Sequence, residues 1–261
     1  MRSYHPRVTI MAKTYPSYFY EKLNQSGAAA ERVVESILRY VKPRSVVDVG
    51  CGTGVFAAAF ADVGISDVHG VDLPPRDPEL LRIPRERFIA HDLSTPFRVD
   101  RKFDLVLSLE VAEHLPATSA DVFVDTLTGL GDCVFFSAAV PEQGGYRHIN
   151  EQWQDWWAEK FRARGFHAVD CLRDHLWEDP AVPFYYAQNL IAYATEGALD
   201  RYSELRRAFE RTDQSSLSRI HPTLYTRKAE PSQATARFLL RALPHAPRAA
   251  FKAVERRTRR H

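Results

Sequence analysis

Three glycines, Gly50, Gly52 and Gly54, stand at alternate positions directly after the apolar run Ser45 to Val49. Glycine carries no Cβ, so such a turn lets the backbone approach a ligand closely and take positive φ. Four acids stand where such a turn would need them: Asp48 inside the apolar run, Asp72 beyond the glycines, and Asp92 and Glu110 at the ends of later apolar runs. Asp72, followed by Leu73, lies about twenty residues past the glycines, where a carboxylate can accept both hydroxyls of a ribose. Asp92 is placed to accept from an exocyclic adenine amine, and the backbone of Leu93 beside it to help select adenine. Any one such acid reads equally as a helix cap or a solvated turn. Four in register with a turn lined by Gly50, Cys51, Gly52 and Gly54 point to a nucleotide-like ligand.

A second constellation lies further along. Glu110, Glu113 and His114 stand at i, i+3 and i+4, which puts them on one face if the segment is helical, and His148 follows later. Two carboxylates and two imidazoles form a shell for a divalent metal; mixed oxygen and imidazole donors suit Mn²⁺, Fe²⁺ or Zn²⁺ better than Mg²⁺. The same residues fit two other roles. His148 or His114, with Glu113, would serve as a direct base, or the group would only cap a helix and shape a pocket. Tyr146, Trp177, Tyr185 and Tyr186 flank the same mouth and suit stacking on a sugar or base, or equally rim packing; Tyr146, His148, Trp153, Tyr185 and Tyr186 are the candidate acceptor contacts. Trp153, Trp156 and Trp157 lie at helical spacing, which favours packing over an acceptor wall.

Elements of a doubly wound sheet would hold these residues in place. Ser45 to Val49, Asp67 to Leu73, Phe88 to Asp92, Phe103 to Leu109, Cys133 to Val140, Phe166 to Cys171 and Asn189 to Ala194 read as seven strands. Helices are expected from Ser26 to about Val41, from Thr53, over Val122 to Leu130, and from Asn150 to Arg164 with Gly165 closing the last. Ser17 to Leu23 reads as a short aromatic helix. Alternation of strand and helix implies a mostly parallel sheet with ligands at the carboxyl ends of its strands. The link from Leu172 to Gln188 holds no helix long enough for a crossover, so the last strand is expected antiparallel.

The glycine spacing is G-x-G-x-G, not the G-x-G-x-x-G of the dinucleotide fingerprint, and no Tyr-x-x-x-Lys pair accompanies it. VVDVGCGTG, with FDLVLSLEVAEHLP from Phe103 to Pro116, resembles the class I S-adenosylmethionine-dependent methyltransferases over about residues 17–195. The resemblance implies that Asp48, Gly50 and Gly52 face the methionine end of that cofactor, Asp72 the ribose, and Asp92 and Leu93 the adenine. Leu73, Cys51, Gly54 and Glu110 complete the expected cofactor contacts. Glu-x-x-Glu-His with a later histidine is similar to the plant small-RNA 2′-O-methyltransferases, in which a metal holds the attacking hydroxyls. The ubiquinone-pathway O-methyltransferases are similar in the first part.

A chain of 261 residues, 45% of them hydrophobic, can bury one full core. Its three cysteines are far apart and read as reduced thiols, with no C-x-x-C knuckle. No signal peptide or transmembrane run is visible, so a cytoplasmic protein is expected. From residue 196 onward 15 Lys/Arg face 7 Asp/Glu, which leaves the first part of the chain mildly acidic. The basic tail fits a solvated helix, with peripheral contact to anionic lipid next; it carries no aromatic ladder for RNA, and DNA is not expected. The expected organisation is an N-terminal arm and helix (1–44), a cofactor-binding domain (45–195) and a basic helical appendage (196–261). The expected function is methyl transfer from S-adenosylmethionine to a hydroxyl of a sugar, nucleoside or natural-product intermediate. An amine acceptor and a non-catalytic scaffold are the alternatives.

Overall fold

The computed structural model describes residues 27–75 and 77–229. The short helix expected at residues 17–23, the Ser26 cap and the basic stretch 230–261 lie outside the described residues.

The first described helix, α1 (Gly27–Ile37), buries Ala30, Val33, Val34 and Ile37, a spacing that keeps one stripe against the sheet. The strands follow as β1 (Ser45–Val49), β2 (Asp67–Asp72), β3 (Phe88–Ala90), β4 (Leu105–Leu109), β5 (Cys133–Ser137), β6 (His167–Val169) and β7 (Ile191–Ala194). Between them lie α2 (Val55–Asp62), α3 (Ala120–Leu130), α4 (Gln154–Arg162), α5 (Arg173–Leu176) and α6 (Phe184–Asn189). All seven strands join one sheet in the order β3-β2-β1-β4-β5-β7-β6. Val46 pairs with Val68 on one side and Leu105 on the other, both parallel. β7 runs antiparallel to β5 and to β6. The reason is the one the sequence suggested: α5 and α6 have four and six residues, too short for a parallel crossover.

Side chains alternate between two cores. Val46, Leu105 and Leu107 join the layer that holds α1 and α2, whereas Val47, Val49 and Val106 face the layer of α3 and α4. Phe136 packs on Trp157 at 5.1 Å, and Trp157 on Trp156 at 4.7 Å, so these two tryptophans serve helix-to-sheet packing. Helix α4 starts at Gln154 rather than Asn150, because residues 150–152 are pinned elsewhere. The Asn150 N–H donates to the Glu113 carbonyl and the Gln152 N–H to that of Ala139.

The expected boundary after residue 195 does not hold. Residues 196–211 form α7 (Glu196–Arg201) and α8 (Ser203–Arg211), whose Ala198, Leu199, Leu205 and Ala208 are buried in the α1–α2 core. Net charge hid this, because the charges lie on the outer face of helices whose apolar stripe is narrow. The segment that follows is tied down as well. Arg173, fully buried, holds Asp170 with two bonds of 2.8 and 2.6 Å and donates to the Leu217 carbonyl at 2.6 Å. Gln214 Nε2 donates to the Ala168 carbonyl at 2.8 Å. One compact unit runs to Arg219, and a second begins at Ile220. Within the second, the described residues form α9 (Pro222–Ala229). Among the described residues no helix is long and apolar enough to cross a membrane.

Candidate active site

The glycine turn sits at the carboxyl end of β1, and all three glycines have positive φ: 87° at Gly50, 57° at Gly52 and 84° at Gly54. A Cβ on Gly50 would lie 2.3 Å from Val111 Cγ2, so this position has no room for a side chain. Cys51 tucks its sulfur towards β2, where a Cβ on Gly70 would come within 2.6 Å of it. Asp72 closes the turn from β2. Its Oδ2 accepts from the Gly52 N–H at 2.7 Å and its Oδ1 from the Leu73 N–H at 2.6 Å. Each oxygen keeps a second lone pair for a ribose hydroxyl. Burial raises the Asp72 carboxyl to about 6 against the pull of those two N–H groups.

Asp48 is buried behind the turn, and its Oδ2 accepts no hydrogen bond. Burial first, and the neighbouring Asp72 second, push its carboxyl up to about 8. An unpartnered buried carboxylate oxygen beside a turn closed to side chains fits a ligand that brings its own cationic and hydroxyl groups. S-adenosylmethionine has both. Asp92 is engaged differently: its Oδ1 accepts from the Ser94 N–H at 3.1 Å and from the Ser94 hydroxyl at 2.6 Å, closing a turn. Leu93 places its side chain in the α3–α4 core.

At the end of β4 the chain turns sharply. Glu110 takes φ 54°, a strained value for a residue with a Cβ. It is held there by its N–H on the Ser137 carbonyl at 3.0 Å and by two side-chain amides. Asn189 Nδ2 donates to Glu110 Oε1 at 3.0 Å, and Gln143 Nε2 to Oε2 at 2.9 Å. Burial raises the Glu110 carboxyl, opposed by these bonds. The turn throws Val111 against Gly50 and leads into a single 3-10 turn, Ala112–His114. The α-helical face expected to carry Glu110, Glu113 and His114 together is therefore not formed.

Glu113 and His114 are joined instead by His148 from the loop after β5. The Glu113 carbonyl accepts from the Ile149 and Asn150 N–H groups at 2.9 and 3.0 Å, which clamps the loop beside the turn. His148 Nε2 lies 4.0 Å from Glu113 Oε1, and its ring meets that of His114 edge-on at 4.8 Å. Ligand atoms of Glu113, His114 and His148 all lie within 4.8 Å of one another. Glu113 is 0% exposed, and neither of its oxygens accepts a well-formed hydrogen bond. Burial, and then the nearby Glu110 carboxylate, raise its pKa well above the carboxylate range. Burial and His148 lower the His114 imidazole to about 4, against a bond that the ring donates to the Arg147 backbone carbonyl. A cation would relieve the Glu113 carboxylate and use neutral imidazoles, so the donor set fits a divalent metal. Glu110 stands outside this group, its oxygens already taken by amides.

The expected acceptor residues divide. Tyr146 and Trp153 are each 43% exposed, Tyr185 is half-buried and Tyr186 is buried against Phe56 at 5.4 Å. Burial, with Glu110 nearby, raises the phenol of Tyr185. Three contributors escaped the sequence reading: the amide group Gln143, Gln188 and Asn189, the packing of Val111, and Glu151. Glu151 Oε1 lies 3.0 Å from His148 Nδ1. Burial raises its carboxyl, but His148 and the Gly144 and Glu142 N–H groups outweigh that and lower it. An acid three residues after a histidine was the one visible signal for Glu151.

A family model described as a methyltransferase domain matches residues 25–170. Among curated proteins, the ubiquinone biosynthesis O-methyltransferase of Paramagnetospirillum magneticum is 34% identical over 91 residues, 33% of this chain and 36% of that one. An uncharacterized methyltransferase of Mycobacterium leprae is 36% identical over 109 residues, 39% of this chain and 40% of that one. The matched stretch spans less than half the length of either relative. Among solved structures, the magnesium protoporphyrin IX methyltransferase of Synechocystis PCC 6803 with bound SAH shares 16% identity at a TM-score of 0.41, covering 58% of this chain and 74% of that one. The family match runs from α1 past β6 and takes in both the glycine crevice and the turn after β4. On that extent the chain belongs to the methyltransferase-domain family, the class I S-adenosylmethionine-dependent methyltransferases.

Proposed function

We propose that the protein transfers the methyl group of S-adenosylmethionine to a hydroxyl of a small sugar, nucleoside or natural-product intermediate, with a divalent ion held by Glu113, His114 and His148. The observation that carries this reading is Glu113: fully buried, with its own backbone and that of Ala139 near its oxygens but no well-formed hydrogen bond to either, and 4.0 Å from the His148 ring nitrogen. A carboxylate desolvated without partners is costly unless a cation or proton meets it. The name of the Paramagnetospirillum relative, an O-methyltransferase, supports a hydroxyl acceptor.

S-adenosylmethionine supplies an electrophilic methyl on a sulfonium, and a divalent ion at the three ligands would lower the pKa of an acceptor hydroxyl. The rest falls to the chain. Asp72 accepts the ribose hydroxyls and, through Gly52, holds the turn that seats the methionine end. Asp48 offers its free oxygen behind that turn. Glu110, fixed by Asn189 and Gln143, shapes the wall between cofactor and acceptor. Tyr146, Trp153 and Tyr185 receive the acceptor, Tyr186 being buried behind Tyr185, and holding the acceptor in line with the methyl carbon is the larger part of catalysis. His148 Nε2 is placed to take the hydroxyl proton if the histidine works as a direct base.

Incubation with methyl-labelled S-adenosylmethionine and a small-molecule extract reads transfer directly. EDTA should abolish it and added Mn²⁺ restore it, while calorimetry finds cofactor binding intact. His148→Ala and Glu113→Ala should each lose transfer with an unchanged fold. Transfer indifferent to EDTA but lost in His148→Ala would replace the ion with a direct base. Transfer indifferent to both would leave positioning alone, as suits an amine acceptor.

A further inference from the structure

Glu151 lies beside the candidate ligand His148 and has work that the reaction so far leaves unexplained. Its Oε1 accepts from the Gly144 N–H and its Oε2 from the Glu142 N–H, both at 2.8 Å. That loop needs such a staple, because Glu142, Gly144 and Arg147 all take positive φ, 67°, 73° and 62°, and two of the three carry a Cβ. The same Oε1 sits 3.0 Å from His148 Nδ1, with the two side chains only 20% and 12% exposed. On its other side the imidazole lies where a Cβ on residue 145 would overlap it, so only a glycine there leaves room for the ring.

An ionised carboxylate can only accept, so a neutral His148 facing Glu151 must carry its proton on Nδ1. Its lone pair is then on Nε2, the nitrogen that faces Glu113 and the His114 ring. A neutral imidazole free in water prefers the opposite tautomer, with the proton on Nε2. We infer that Glu151 is a positioning residue: it fixes His148 in the Nδ1–H tautomer and orientation, so that Nε2 presents a lone pair to the Glu113–His114 pocket. Glu151 touches neither acceptor nor cofactor in this role. The inference rests on the reading that His148 acts at the site, and it holds whether Nε2 binds an ion or takes a proton. A carboxylate behind a ligating histidine commonly does both tasks, setting the tautomer and raising the ligand's basicity.

The test uses the full chain, free of metal, with ¹⁵N-labelled histidine. Long-range ¹H–¹⁵N correlation spectra at a pH where the imidazoles are neutral report which nitrogen of each ring is protonated, and His148→Ala assigns the signal. His148 should carry its proton on Nδ1 in the native protein. In Glu151→Ala, which leaves Nδ1 without its acceptor, the proton should move largely to Nε2. In Glu151→Asp, which keeps the charge, the Nδ1–H form should be retained in part. A native ring protonated on Nε2 overturns the inference, and so does a Glu151→Ala ring with an unchanged tautomer. Since the native spectrum decides on its own, a variant that fails to fold leaves the question answerable.

A Mn²⁺ titration separates this inference from the function it rests on. If the native protein binds the ion, Glu151→Gln should weaken it tenfold or more with cofactor affinity unchanged. If the native protein binds no Mn²⁺, the metal reading falls, while the tautomer result still stands for or against Glu151.

Discussion

The crevice at the ends of β1 and β2 is closed by bonds between near neighbours in sequence. Gly52 reaches Asp72 across twenty residues, and Gly50 and Cys51 both donate to the Val71 carbonyl. The opposite wall is closed from far apart: Asn189 reaches Glu110 across 79 residues, Gln188 reaches Gln143 across 45, and Gln143 reaches Glu110 across 33. The first region uses backbone donors and glycines, the second side-chain amides, carboxylates and histidines. A crevice made of backbone tolerates change around it as long as the strands and glycines stay. A wall made of long-range side-chain bonds depends on every element that brings those side chains in, including the segments beyond β7.

The largest effect should come from breaking both regions at once. Truncation after Thr195 removes α7, α8 and the Leu217 carbonyl that Arg173 donates to, so the core is opened and Arg173 keeps Asp170 but loses an acceptor. Urea titration should find no cooperative unfolding in the truncated chain. A cooperative transition that retains cofactor binding would restore the appendage reading. Leu205→Ala is the milder version and should cost about 2–5 kcal/mol in the same experiment.

Damage confined to the crevice should be smaller. Asp72→Ala removes a charged acceptor from the proposed ribose position and also frees the Gly52 N–H. Each charge-assisted bond lost should weaken S-adenosylmethionine binding by about 1.5–3 kcal/mol. Mn²⁺ binding by the same variant should be unaffected, since Glu113, His114 and His148 are held by other bonds. Equal loss on both sides would show that the two regions are one unit after all.

The remaining effect is a slope with pH. Asp48, with its carboxyl raised to about 8, keeps its proton in the folded protein where the unfolded chain has lost it. The folded state therefore binds more protons across the window from about pH 4 to about pH 8, and stability declines as pH rises through it. This one group contributes at most about 1.4 kcal/mol per pH unit. Asp48→Asn should flatten the decline, measured as urea midpoints at pH 5 and pH 8.5 without cofactor. An unchanged decline would place its origin elsewhere.

The amino-acid sequence by itself determined the sheet and the crevice. The physical reason is locality: an apolar β-branched run, a glycine turn and an acid at the next strand end are features of short segments. Backbone geometry then carries them to one place, as Gly50, Gly52 and Asp72 show. Even the antiparallel β7 followed from a local fact, the lack of a crossover helix between Leu172 and Gln188. The appendage boundary was not legible, because charge counts see the outer faces of α7 and α8 and not Leu199 or Leu205 beneath them. Nor was the shape of the turn after β4. The pattern Glu110, Glu113, His114 fits a helical face in one dimension. Only tertiary contact decided that Glu110 takes positive φ, bonds to Asn189 and Gln143, and leaves Glu113 and His114 to meet His148. Glu151 belongs to the same class. Its spacing from His148 was on view from the start, but the bond between them acquires meaning only when the Glu113 carbonyl anchors Ile149 and Asn150 and turns the far side of the imidazole toward the pocket.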